Sequence, residues 1–239
     1  MIIVICGHYN AIYRKPYVAD LHLDAGGSDG KTKKNYNIVA LSDLHLSSIM
    51  NNDRLLDIVN TVNSLKPDII FLVGDIIDSD LEPVIKNNFG EALKNFNPPL
   101  GVYGITGNHE YIGGIDGSVE YLIDHNVNMV RDELFLIDNA FYLVGREDYS
   151  MNRFTDKTRK SLYSILEGID RQMPVIVLDH QPINLDEAVD NHVYLQLSGH
   201  THHGQLWPFN YITEAVYEKS HGYIMKEKTH FYISCGIGV

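Results

Sequence analysis

Ile69-Ile70-Phe71-Leu72-Val73-Gly74-Asp75 is the stretch from which the fold of this chain is read. Five apolar residues in a row make a short buried strand, and Gly74-Asp75 follows it at once as a tight turn. Upstream, residues 53–65 carry Leu55, Leu56, Ile58, Val59, Val62 and Leu65 at helical spacing, stopped by Lys66-Pro67. Before that helix, residues 38–41 form another apolar run, ending at Ser42 and Asp43. Downstream, a helix is predicted over 83–96, then a strand over 102–106 that runs into Gly107-Asn108-His109. Further helices are predicted over 118–125 and 156–166. Further strands are predicted over 127–130, 135–137, 140–144, 175–178, 194–197 and 231–235. Short apolar runs alternating with helical segments argue for a layered α/β fold. The chain shows no internal repeat and no low-complexity linker, so residues 1–239 read as one domain with a motif core over 38–205.

Five polar clusters each follow a predicted strand. They are Asp43-Leu44-His45, Gly74-Asp75-Ile76-Ile77-Asp78, Gly107-Asn108-His109-Glu110, His180, and Gly199-His200-Thr201-His202. Ligands of α/β sheets bind beyond the carboxyl ends of strands, where loops on a rigid scaffold aim side chains at a common point. Together the clusters offer two carboxylates, one amide oxygen and several imidazoles. This donor mixture suits two divalent ions such as Mn²⁺, Fe²⁺ or Zn²⁺. Two close cations call for a bridging carboxylate, and Asp75 beside Gly74 is the candidate. A water shared by both ions would lose a proton near neutral pH and act as a bridging hydroxide nucleophile. His109, next to Asn108, is placed to protonate the leaving oxygen; the alternative is that it orients a ligand. Asp78 is expected to orient a ligand or cap a helix, and Glu110 to be structural.

The ordered set Asp43-x-His45, Gly74-Asp75-x-x-Asp78, Gly107-Asn108-His109-Glu110, His180 and Gly199-His200-x-His202 resembles the calcineurin-like metallophosphoesterase superfamily. The resemblance spans about two thirds of the chain, and its specificity lies in all five motifs occurring in order. It implies that Asp43, His45, Asp75 and His202 hold one ion, and that Asp75, Asn108, His180 and His200 hold the other. It implies a fold of two facing mixed β-sheets flanked by helices, a four-layer sandwich with the metals at one edge. Residues 40–46, 144–148 and 198–208 are similar to a bacterial subgroup of phosphohydrolases, many of them membrane-anchored. This chain shows no such anchor and ends at Val239 soon after an apolar strand. It is therefore expected to be soluble as given, either a fragment or a shortened member, and cytoplasmic or membrane-associated in a bacterium.

The expected activity is hydrolysis of phosphate esters or anhydrides in a small phosphorylated or lipid-phosphate substrate. A UDP-diacylglucosamine-type pyrophosphatase is a narrower reading taken from relatives in the superfamily. A non-catalytic metal-binding scaffold is the alternative, disfavoured because every expected ligand and His109 are present. A metallo-β-lactamase-type hydrolase would need a His-x-His-x-Asp-His run, which the chain lacks.

Composition narrows the partners. The 31 acidic residues outnumber the 19 basic ones, for a net charge of −12. A binder of long nucleic acid carries a basic stripe, and this chain has only the short cluster at 31–34, read as a solvated turn. Arg146 has two readings: a clamp for a substrate phosphate, or the partner of a nearby carboxylate. Trp207 and Tyr111 are expected to pack rather than to stack on substrate, and His203 is spare. Cys6 and Cys235 read as two buried free thiols.

Overall fold

The computed structural model describes residues 17–25, 34–205 and 207–238. Cys6, three residues of the basic cluster (31–33) and Leu206 fall outside them. Among the described residues, the first sheet is four-stranded and wholly parallel, in the order β1 (Ile38–Leu41), β2 (Ile69–Val73), β3 (Val102–Ile105), β4 (Val127–Met129). Between successive strands run α1 (Asn52–Ser64), then α2 (Leu81–Lys86) with α3 (Phe89–Leu93), then α4 (Asn108–Gly113) with α5 (Ile115–Asp124). Helical crossovers of this kind make parallel neighbours, which is why this sheet is parallel and only the other is mixed.

Among the described residues, the second sheet has six strands. Their order is β5 (Glu133–Ile137), β6 (Phe141–Gly145), β7 (Val175–Leu178), β8 (Leu195–Ser198), β10 (Thr229–Ile233) and β9 (Gly222–Lys226). The pairs β5·β6 and β9·β10 are antiparallel and the rest are parallel. Its connections carry α6 (Met151–Phe154), α7 (Leu162–Ile165), α8 (Asp186–Asp190), a 3₁₀ turn (His202–Gly204) and α9 (Asn210–Val216).

Strand periodicity sorts the core into layers. In β2, Ile69, Phe71 and Val73 pack with Leu143, Ile176, Leu178 and Leu197 of the second sheet. The alternate residues Ile70 and Leu72 pack with Leu55, Ile58, Val59 and Val62 of α1. In β7, Ile176 and Leu178 face the first sheet, while Val175 and Val177 face Leu162, Leu166 and Leu185. The result is the expected sandwich of two sheets between helices. Among the described residues, no helix is long and apolar enough to cross a membrane.

Several local expectations change. The helix predicted over 83–96 is two helices, broken at Asn87-Asn88, where Asn88 takes φ +55; asparagine tolerates that left-handed conformation better than most residues. Over 156–166 only Leu162–Ile165 is helical. Ahead of it, Arg159 pairs with the buried Asp179, and the Lys160 amide donates to Asp132. Buried charge pairing there overrides helical spacing. β9, α4, α6, α8 and α9 escaped the sequence reading; β9 and α9 carry no fully buried residue. Strand β10 ends at Ile233, so Cys235 lies in the loop beyond it and is exposed, not buried.

Candidate metal centre

The loops after β1 and β2 are zipped together by their backbones. The amides of Asp43, His45 and Leu46 donate to the carbonyls of Gly74, Asp75 and Ile76 at 3.0, 3.0 and 2.9 Å. The C-terminal segment closes on the same loop, with the amides of Ile237 and Gly238 donating to Ser42 and Asp43. Asp43, His45 and Asp75 all take positive φ, between +48 and +55. Gly74, at φ +78, needs glycine twice over: a Cβ there would fall 2.5 Å from Nδ1 of His180. Gly199 packs so closely that a Cβ would meet the Asp43 carboxylate.

The structure brings the seven expected ligands to one place. Asp43, His45 and His202 each turn a donor atom to a common point, as do Asp75, His180 and His200. The two triads touch: Asp75 Oδ2 lies 4.0 Å from His45 Nε2 and 3.0 Å from His180 Nε2. His180 Nε2 is in turn 4.0 Å from Asp43 Oδ1. Asp75 thus stands between the groups. Its other oxygen, Oδ1, accepts the His109 amide at 2.9 Å.

Asn108 opens α4 beside them, and its Oδ1 is buried without a hydrogen-bond partner. His180 Nε2 is another such atom. The Nδ1–H of His180 donates to the Val73 carbonyl at 2.8 Å, which leaves Nε2 a lone pair aimed at the carboxylates. A lone-pair nitrogen beside Asp43 and Asp75, and a buried amide oxygen without a donor, fit cations.

Electrostatics agree with that fit. Burial opposes a charge on His180, yet the Asp75 carboxylate raises its pKa well above the ordinary value. Positive charge is therefore favoured at that spot, and a metal ion competes with the proton for it. Burial, reinforced by His180, lowers His200 to about 4, and burial lowers His45 despite Asp75 beside it. Both rings are held in the neutral, metal-binding form. Burial would raise Asp75, but the charge of a protonated His180 3.0 Å away outweighs it, so its pKa lies below the usual carboxylate value.

Around the ligands sit the groups that aim them. Asp78 Oδ1 lies 2.7 Å from His109 Nδ1 and 3.7 Å from His45 Nδ1. The His109 ring stands edge-on to His45 at 4.6 Å. Glu110 is fully buried and accepts the amides of Gly107, Ile77 and Asp75 at 2.7, 2.8 and 3.2 Å, tying the second and third loops together. Burial, with the Asp75 charge, pushes its carboxyl up to about 7 against the Ile77 and Gly107 amides.

Arg146 is 3% exposed. It reaches Glu187 at 3.3 Å, with Asp132 and Asp179 each at 3.9 Å. This geometry matches the carboxylate-partner reading rather than the phosphate clamp. Tyr111 packs as expected, its hydroxyl donating to Glu147, whereas Trp207 is 81% exposed. Asp148 had been given no role. It is buried, held by Gln181 and the Ser150 amide, and its charge is felt by His180 and His200. Its position after β6, a further strand end, was the signal for it.

Residues 36–204, most of the chain and all five motifs, match the family model described as calcineurin-like phosphoesterase. The chain belongs to that family. The phosphoesterase is 31% identical over 84% of its length to an uncharacterized metallophosphoesterase of Aquifex aeolicus, of which it covers 77%. It is 30% identical over 87% of its length to another from Helicobacter pylori (strain J99), of which it spans only 56%. Among solved structures, a dimetal phosphatase from Danio rerio shares the fold, with a TM-score of 0.50 and 12% identity over 83% of this chain and 86% of the other. By family the phosphoesterase is a metal-dependent hydrolase, and the family implies a dinuclear divalent-metal site.

Proposed function

We propose that this phosphoesterase hydrolyses phosphate esters or anhydrides of a small phosphorylated substrate at a site for two divalent ions. Asp43, His45, Asp75 and His202 hold one ion, and Asp75, Asn108, His180 and His200 hold the other. The observation that carries the reading is the convergence of Asp43, His45 and His202, and of Asp75, His180 and His200, on two adjacent points, with Asn108 Oδ1 and His180 Nε2 buried and unpartnered. Bound there, two divalent ions supply Lewis acidity, acidifying a water and offsetting charge on the phosphate. The remaining work falls to the chain. Val73, Asp78 and the Cys235 carbonyl, 3.4 Å from His202 Nδ1, fix ring orientations. Asp78 accepts from His109 Nδ1–H, which leaves Nε2 facing the substrate; the imidazolium form, stabilised by Asp78, gives its Nε2 proton to the leaving oxygen and returns to the neutral ring. The shared core between the sheets supports treating the motif region as one domain.

Turnover of bis-p-nitrophenyl phosphate and p-nitrophenyl phosphate with Mn²⁺ tests this and separates diester from monoester preference. A folded sample inactive on both, with every divalent ion tried, would favour a non-catalytic scaffold.

A further inference from the structure

His203, Glu214 and His221 take no part in the centre described above. They come from three separate pieces of chain: the turn His202–Gly204, helix α9, and the segment leading into β9. Helix α9 packs on that turn. One ligand-capable atom from each residue lies within 4.8 Å of the other two. His203 Nε2 is 3.9 Å from Glu214 Oε1, and the two imidazole rings lie face to face with centroids 3.7 Å apart and planes tilted by 38°.

Donors bound to one ion at about 2.0–2.2 Å stand at most roughly 4 Å apart. The His203–Glu214 pair meets that limit as it stands. Glu214 has the freedom to bring in the rest, since its side chain is 48% exposed. His203 is already aimed by its far nitrogen, with Nδ1 3.2 Å from the hydroxyl of the buried Ser220. A metal-binding histidine is held in register by that kind of contact. Two protonated rings stacked this closely would repel each other. Burial, together with the charges of His203 and Lys219, lowers the pKa of His221, which favours its neutral form.

We propose that His203, Glu214 and His221 form a third, mononuclear site for a borderline divalent cation, Zn²⁺ ahead of Mn²⁺, separate from the dinuclear centre. Two imidazoles and a carboxylate are a zinc donor set, and three protein ligands leave a fourth position for water. The ion ties α9 and the approach to β9 to the turn that carries His202.

The test is a count of metal that does not depend on turnover, so it fails separately from the phosphoesterase reading. The full chain is saturated with Zn²⁺, passed through a desalting column and analysed for bound zinc. The native protein should retain one more Zn²⁺ per chain than His221→Gln. In calorimetric titration with Zn²⁺, Glu214→Gln should weaken one class of site at least tenfold and leave the others unchanged. Glu214 lies on an exposed helix, so this variant decides the matter if His221→Gln fails to fold. Equal zinc content in the native protein and the folded variants, with unchanged titrations, overturns the site.

Discussion

The Val73 carbonyl accepts a hydrogen bond from His180 Nδ1 at 2.8 Å, so the last residue of β2 in one sheet sets the tautomer of an imidazole carried by the other. His180→Ala removes a proposed ligand and this bond between the sheets together. It is expected to lower bound metal by one ion per chain and to abolish phosphoester turnover. Elemental analysis beside a kinetic assay checks both; a variant retaining its full metal content would remove His180 from the ligand set.

Asp75 touches both triads, so Asp75→Asn should weaken both ions, not one. Its Oδ1 keeps the His109 amide in either form, and Oδ2 loses the charge facing His45 and His180. The expected result is loss of turnover with less than one tightly held ion per chain. Two retained ions and a normal rate would show that the carboxylate does not bridge.

His109 and Asp78 should separate chemistry from binding. His109→Ala is expected to lower kcat by about 10²–10⁴, the usual contribution of a general acid, with metal content unchanged. Asp78→Asn leaves the ring in place but weakens its 2.7 Å contact, so its rate loss should be smaller. Metal loss in His109→Ala would recast it as a ligand.

Arg146 is expected to act on stability. Arg146→Met would leave the buried Asp132, and the partly exposed Glu187, short of their cation. Such a loss costs about 3–5 kcal/mol, readable as a lower urea midpoint. A raised KM with unchanged stability would restore the phosphate-clamp reading.

Chelation should destabilise the fold. Asp43 and Asp75 are buried side by side, and ions that bind only the native state add about 2.7 kcal/mol at a hundredfold excess over Kd. The melting temperature should fall in EDTA and recover with Mn²⁺. A melting curve indifferent to both would argue against a metal-loaded native state.

Much of this was legible from residue order. The apolar run at β2, the helical stripe of α1 and the polar residues after each strand are local signals, and they led to both sheets and all seven expected ligands. What stayed hidden depends on contacts between distant residues. Arg146 had two open readings until Glu187, 41 residues away, was placed at its tip. The segment before α7 read as helix because its spacing says nothing of the buried Asp179 that draws Arg159 out of it. His203 was set aside because neither Glu214 nor His221 stands at a spacing that marks a site.

The sequence by itself determined the alternation of buried strands with helices and the chemical types set at the strand ends, since periodicity and turn chemistry act over a few residues. Only the tertiary structure decided which atoms face one another. The parallel registers that align Leu41 with Leu72 and Val73 with Ile105 bring the first three loops to one edge, and the packing of the two sheets brings His180, His200 and His202 to meet them. A donor becomes a ligand only when its neighbours fix its tautomer and exclude water, and those neighbours lie as much as 157 residues away, as between His200 and Asp43.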